Sequence, residues 1–230
     1  AFTYTVSSAD QANVPAGSNR TTASGSDITD LYTNFTSSPV IITYTITPTS
    51  GQGCTGSPFN LAVTVNPTPI AIATPASQTI CNGGTTNIEL SSLTVGPVVN
   101  YTWTAVLLSG TATGFSASSG NSIAQTLTNS TNTTAVVRYT ITPINGVCPG
   151  TNLTVDITVN PTPDAIATPA AQTICNGTAT AIALSTNTTG ATVNYTWTAA
   201  LQSGTVTGFS ASSGNSIDQT LTNSTNAPAV

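Results

Sequence analysis

The chain has 230 residues, with 7 Asp plus Glu, 2 Lys plus Arg (both Arg), no His, no Met and a net charge of -5. Charged residues make up 4% of it, against about 25% in an ordinary soluble domain. Without His or Lys there is no imidazole acid, base or metal ligand and no Schiff-base or phosphate-loop lysine, and two cations do not neutralise a nucleic-acid backbone. Its 49 Thr and 25 Ser carry solubility instead. Thr is β-branched and prefers strands, so an all-β protein is expected.

In chain order, FTYTV at 2–6, IITYTITP at 41–48 and LAVTVNPTP at 61–69 each reappear later, as YTWTA at 101–105, VVRYTITP at 136–143 and VDITVNPTP at 155–163. From 66 onward a full unit can be read. A first strand over 70–74 and 78–80 is split by Pro75; a second covers 85–91, with Ile88 and Leu90 inward. The third, over 98–105, puts Tyr101 and Trp103 on one face and Thr102 and Thr104 on the other. A weak strand is expected near 112–115 and another over 123–127. Two longer ones follow: 135–143, with Tyr139 and Ile141 inward, and 152–159, with Val155 and Ile157 inward. Period-2 alternation bounded by turn residues carries these assignments.

NPTP at 66–69 recurs at 160–163, a period of 94, together with QTICNG, NYTWTA and GFSASSGNSI. Aligning 66–136 with 160–230 leaves 17 mismatches in 71 positions. Three units follow: 1–65, the C-terminal half of a first repeat; 66–159, a complete second; and 160–230, a third lacking its last two strands. A segment of a longer tandem array is expected. About seven strands per unit matches an immunoglobulin-like sandwich. Pro67, Pro69, Pro161 and Pro163 read as stiff linkers between domains, because proline fixes φ and removes a donor.

VTVNPTP, QTICNG, the YTWTA strand, SGNSIAQTLTN, YTITP with a following Cys, and TVDITVNPTP occur in order. Together they resemble the PKD-like (immunoglobulin-like) repeats of giant Bacteroidota surface adhesins of the SprB type, which serve gliding motility. The resemblance covers the whole chain. It implies a secreted, fibre-like cell-surface protein associated with the outer membrane and exported by type IX secretion. A WDFGDG-like motif often attributed to PKD domains is replaced here by YTWTA, so nothing tied to it carries over.

The four cysteines, Cys54, Cys81, Cys148 and Cys175, form no CxxC pair, and no His accompanies them, which argues against zinc. The simplest pairing is Cys81 with Cys148 inside the complete repeat, leaving Cys54 and Cys175 with partners outside the chain. The rival, Cys54–Cys81 and Cys148–Cys175, would staple neighbouring repeats. Both pairings imply an oxidising exterior. Trp103, Trp197 and Tyr4 hold equivalent places on the third strand and are expected in cores.

Asp27 and Asp30 form the closest acidic pair. They lack acidic counterparts in the other copies, so a solvated role is expected rather than calcium binding. The Thr43, Thr45, Thr47 array and its counterparts Thr102, Thr104 and Thr196, Thr198 read as polar outer strand faces. No catalytic, cofactor or metal residue and no enzyme activity are expected, since there is no His or Lys to activate a hydroxyl and no carboxylate pair recurs. No apolar run is long enough to span a membrane as a helix. The expected partners are neighbouring repeats, with surface glycans or solid substrata reached through domains outside this segment. The expected role is a structural and adhesive stalk. The alternatives are a glycan- or protein-binding repeat and accessory domains of a secreted enzyme.

Overall fold

The computed structural model describes residues 2–8, 28, 30–96 and 98–230. Asp27 and the 12–27 segment lie outside the described residues. No helix occurs among them, and the strands fall into three successive units.

The first unit is an antiparallel sheet of β1 (Phe2–Ser8), β2 (Val40–Pro48) and β3 (Phe59–Val65), in the order β1-β2-β3. Alternation puts Tyr4, Val6, Val40, Ile42, Tyr44 and Ile46 on one buried face, with Ile28 and Tyr32 packed on it.

The second unit holds β4 (Ala71–Thr74), β5 (Ser77–Cys81), β6 (Ile88–Ser92), β7 (Val99–Ser109), β8 (Ser118–Ser119), β9 (Ser122–Ile123), β10 (Ala135–Asn145), β11 (Cys148–Pro149) and β12 (Leu153–Asn160). One sheet runs β4-β6-β9. The other runs β5-β12-β10-β7-β8, with β11 beside β10. Pro75 cannot donate to a ladder, and at that point the chain changes sheets. β4 pairs antiparallel with β6, whereas β5 pairs parallel with β12. Both sheets thereby gain an edge strand from one short segment.

Ile88, Leu90, Tyr101, Trp103, Tyr139, Ile141, Val155 and Ile157 are all buried in the core between the two sheets. Each large apolar side chain removed from water contributes roughly 1.5–3 kcal/mol. This is the all-β, immunoglobulin-like sandwich expected from the alternation.

Local departures have side-chain causes. The second strand starts at Ile88 rather than at 85, because the buried Thr86 hydroxyl donates to the Ile123 carbonyl at 2.8 Å and accepts from the Gln125 amide at 2.9 Å. The same contacts, and the Gln125 amide group bonded to Ser116, end β9 after Ile123. Near 112–115 there is only a bridge, Thr113 to Thr128; the strand pairing with β7 is β8.

The third unit contains β13 (Ile166–Thr168), β14 (Ile182–Ser185), β15 (Thr196–Trp197), β16 (Val206–Thr207), β17 (Ser212–Ser213), β18 (Ser216–Ile217) and β19 (Thr222–Asn223). β13-β14-β18 repeats β4-β6-β9. Val230 is the counterpart of Val136, and among the described residues this unit has no strand equivalent to β10 or β12. Trp197 is therefore half-buried where Trp103 is buried. In the first unit, Leu61 is 46% exposed although its counterpart Val155 is 1% exposed. The strands that cover β12 in the second repeat, β4 and β5, have no counterpart among the described residues there.

Candidate functional site at the inter-repeat joint

The feature that recurs across the units is the joint around NPTP. Pro67, Pro69 and Pro161 are buried, and Pro163 is exposed. Pro69 is covered by the hairpin after β10: a Cβ on Gly150 would sit 2.0 Å from the Pro69 carbonyl oxygen. Only glycine lets the two backbones approach that closely.

An asparagine braces each exit. Asn34 donates its amide to the Ser38 and Val65 carbonyls, both at 2.8 Å, and its oxygen accepts from the Thr36 amide and hydroxyl at 2.9 and 2.7 Å. Asn129 repeats this on the Thr133 and Val159 carbonyls at 2.7 and 3.0 Å, and on Thr131 at 3.0 and 2.8 Å. Asn223 repeats the turn with Ala227 and Thr225. Val65 and Val159 immediately precede the linkers, so the brace ties the turn to the strand end that leads into NPTP. Asn82 of the QTICNG motif extends it, accepting from the Asn129 amide at 2.8 Å and donating to the Thr162 hydroxyl of the linker at 3.0 Å.

The braced turn then meets the following unit. The Val95 amide donates to the Ser37 carbonyl at 2.7 Å, and the Thr189 amide to the Asn132 carbonyl at 2.7 Å. Ser37 and Asn132 are counterparts, as are Val95 and Thr189. The next residue is glycine at positive φ in both joints. A Cβ on Gly96 (φ 114°) would come within 2.7 Å of Pro39, and one on Gly190 (φ 82°) within 2.7 Å of the Thr134 hydroxyl. The same contact is thus built twice from different side chains.

The loop that makes it is held differently in the two copies. Thr94 donates its amide to Ser92, whose hydroxyl donates to the Ile70 carbonyl at 2.7 Å. In the third unit Asp164 replaces Ile70. Its carboxylate accepts from the Thr186 hydroxyl, the Asn187 and Thr188 amides and the Asn187 side chain. The Thr186 hydroxyl chiefly, then the Asn187 amide and the Thr188 hydroxyl, hold its pKa down at about 2.

The cysteines are not paired. All four are free thiols; Cys54, Cys81 and Cys175 are exposed and Cys148 is half-buried. Strand register shows why Cys81 and Cys148 stay apart. Cys81 faces Asn160 at the exit end of the sheet, beside Ala135 of β10, whereas Cys148 faces Asn145 at the opposite end of β10. That strand is roughly 30 Å long at about 3.3 Å per residue, while a disulfide needs Cα atoms within about 7 Å. The pairing Cys81–Cys148 is therefore corrected. The rival pairs join an entry-end hairpin of one unit to the exit end of the next, with the length of both units between them.

Among the other expected residues, Tyr4, Tyr101, Trp103 and Tyr139 are buried. Burial pushes the Tyr139 phenol up to about 12, and its hydroxyl donates to Gln125 at 2.8 Å. Asp30 accepts from the Tyr44 hydroxyl at 3.0 Å, and Tyr44 also meets Tyr32 at 2.7 Å. Asp30 is thus occupied by a tyrosine cluster. The outer sheet face carries Thr45 bonded to Asn60, Thr142 bonded to Asn152, and a bidentate Arg138–Asp156 pair at 2.7 and 2.8 Å. The pair holds the Asp156 carboxyl below the usual range. No cluster of three metal-ligating side chains occurs among the described residues.

The asparagine braces are the functional residues that sequence reasoning missed. The signal was present: N-x-T stands at the same place in every copy (Asn34, Asn129, Asn223), but it reads as a chance sequon in so Thr-rich a chain. The family model for the PKD-like domain matches residues 1–69 and 78–163. No curated protein matches the chain.

Proposed function

Since the chain belongs to the PKD-like domain family, a family of extracellular structural or adhesive modules, we propose that it is a stalk segment of a large, repetitive bacterial cell-surface adhesin. In this reading the repeats do no chemistry. They hold a distal tip away from the cell, and their partners are the neighbouring repeats. Secretion through the type IX route and a part in gliding motility belong to the same proposal, on the strength of the motif resemblance. The observation that carries it is the joint built twice: the same backbone hydrogen bond, the same positive-φ glycine and the same asparagine brace at 66–69 and 160–163. A binding module needs no fixed joint, whereas a spacer does, because a freely hinged linker shortens the mean reach of an array.

Residual dipolar couplings on the 230-residue chain test this. One alignment tensor fitting the 30–65 and 66–159 segments together is expected. Independent tensors for the two units would sink the stalk reading. Saturable binding of the chain to one class of glycan on an array would replace it with the binding-module reading.

A further inference from the structure

Each complete repeat carries its two thiols at opposite poles, and both poles border an NPTP linker. At the exit pole, Cys81 pairs in the ladder with Asn160, the first linker residue. The next residue, Asn82, reaches along the linker to the Thr162 hydroxyl at 3.0 Å. At the entry pole, the Cys148 hairpin lies over the last linker residue, where Gly150 packs on the Pro69 carbonyl and Thr151 bridges to Ile70. Superposing the two joints by their shared hydrogen bond, Val95 to Ser37 and Thr189 to Asn132, brings an exit-pole thiol and an entry-pole thiol to the same linker. Four extended residues span only about 13 Å, and the Asn82 contact already leans the exit-pole loop toward the far end. Each joint in this chain displays one half of the arrangement: Cys81 at 160–163 and Cys148 at 66–69.

We propose that the disulfide of this array crosses each joint, linking the exit-pole cysteine of one repeat (Cys81, Cys175) to the entry-pole hairpin cysteine of the repeat that follows (the counterpart of Cys54 and Cys148). The pairing differs from both that the sequence suggested, because it follows the poles rather than the spacing. The reaction is thiol–disulfide exchange with an external disulfide oxidant such as oxidised glutathione. The Cys81 thiolate attacks the oxidant's disulfide, releasing one glutathione thiolate, and the partner thiolate attacks the mixed disulfide, releasing the second. The exposed Cys81 and Cys175 and the half-buried Cys148 leave both thiols open to it. The inference rests on the stalk reading for the presence of a following repeat.

The test lengthens the chain after Val230 with a copy of residues 137–160, which completes the third repeat and adds a counterpart of Cys148. After oxidation with glutathione disulfide, free thiols are alkylated and peptides mapped by mass. A bridge between Cys81 and the added cysteine is expected, with Cys54, Cys148 and Cys175 alkylated. In the unlengthened 230-residue chain all four cysteines are expected to be alkylated in the monomer. Cys81 alkylated in the folded, lengthened chain, or bridged to Cys148, Cys54 or Cys175 in either chain, would overturn the proposal. The unlengthened chain gives its reading whether or not the lengthened one folds. Residual dipolar couplings on the reduced chain report the stalk reading separately, so the two can fail independently.

Discussion

At the scale of single residues, the joint depends on polar side chains that saturate backbone groups. Asn129 is 1% exposed and satisfies the Thr133 and Val159 carbonyls at 2.7 and 3.0 Å. Replacing it by Ala strands two acceptors away from water, at about 1–3 kcal/mol for each unsatisfied buried group. Asn129→Ala is expected to destabilise the second repeat by about 2–4 kcal/mol in urea unfolding followed by Trp fluorescence. A loss below about 0.5 kcal/mol would show that water replaces the amide.

Asp164 acts on the joint through the 186–188 loop. Its carboxyl falls from 3.8 to about 2 on folding, chiefly through the Thr186 hydroxyl. A depressed folded pKa contributes stability above the unfolded value, and this is lost as pH falls through the folded value. Hydrogen-exchange protection of the Thr189 amide, which bonds Asn132, is therefore expected to decline between about pH 4 and pH 2. In Asp164→Ala it should already be low at neutral pH and flat across that window. A parallel decline in both proteins would place the titration elsewhere.

At the scale of elements, the same strand has two environments. Trp103 on β7 is closed in by β10 and the facing sheet, whereas Trp197 on β15 lacks those neighbours and is half-buried. Acrylamide quenching is expected to resolve two emitters, the bluer and less quenched one disappearing in Trp103→Phe. Trp103→Ala should cost about 3–5 kcal/mol of second-repeat stability by cavity formation. Trp197→Ala should cost distinctly less. Equal losses at the two positions would mean that the third unit closes its core by another route.

At the scale of the whole molecule, the proposed stalk role depends on how one repeat is fixed to the next. Gly190 sits at φ 82° with Thr134 where its Cβ would be, away from any core. Gly190→Val is expected to leave the melting of the second repeat unchanged within a degree or two. It should also separate the alignment tensors of the 98–159 and 160–230 segments. Retention of a common tensor would show that the linker prolines alone set the geometry.

Much of this was legible in the amino-acid sequence because it is local or periodic. Alternation placed Tyr101, Trp103, Tyr139 and Ile141 on inward faces. Self-comparison found the 94-residue unit and its NPTP joints. The tertiary structure decided what depends on register between distant strands. The parallel pairing of β5 with β12 puts Cys81 at the exit pole, and the length of β10 carries Cys148 to the entry pole. Spacing along the chain cannot encode that separation, since both cysteines border turns of similar composition. The N-x-T turns at Asn34 and Asn129 are equally invisible as braces, because one carbonyl that each satisfies lies about thirty residues away, at Val65 and Val159. Composition and period fixed the fold, and non-local pairing fixed the joint, because only folding brings the end of one strand beside the turn that locks it.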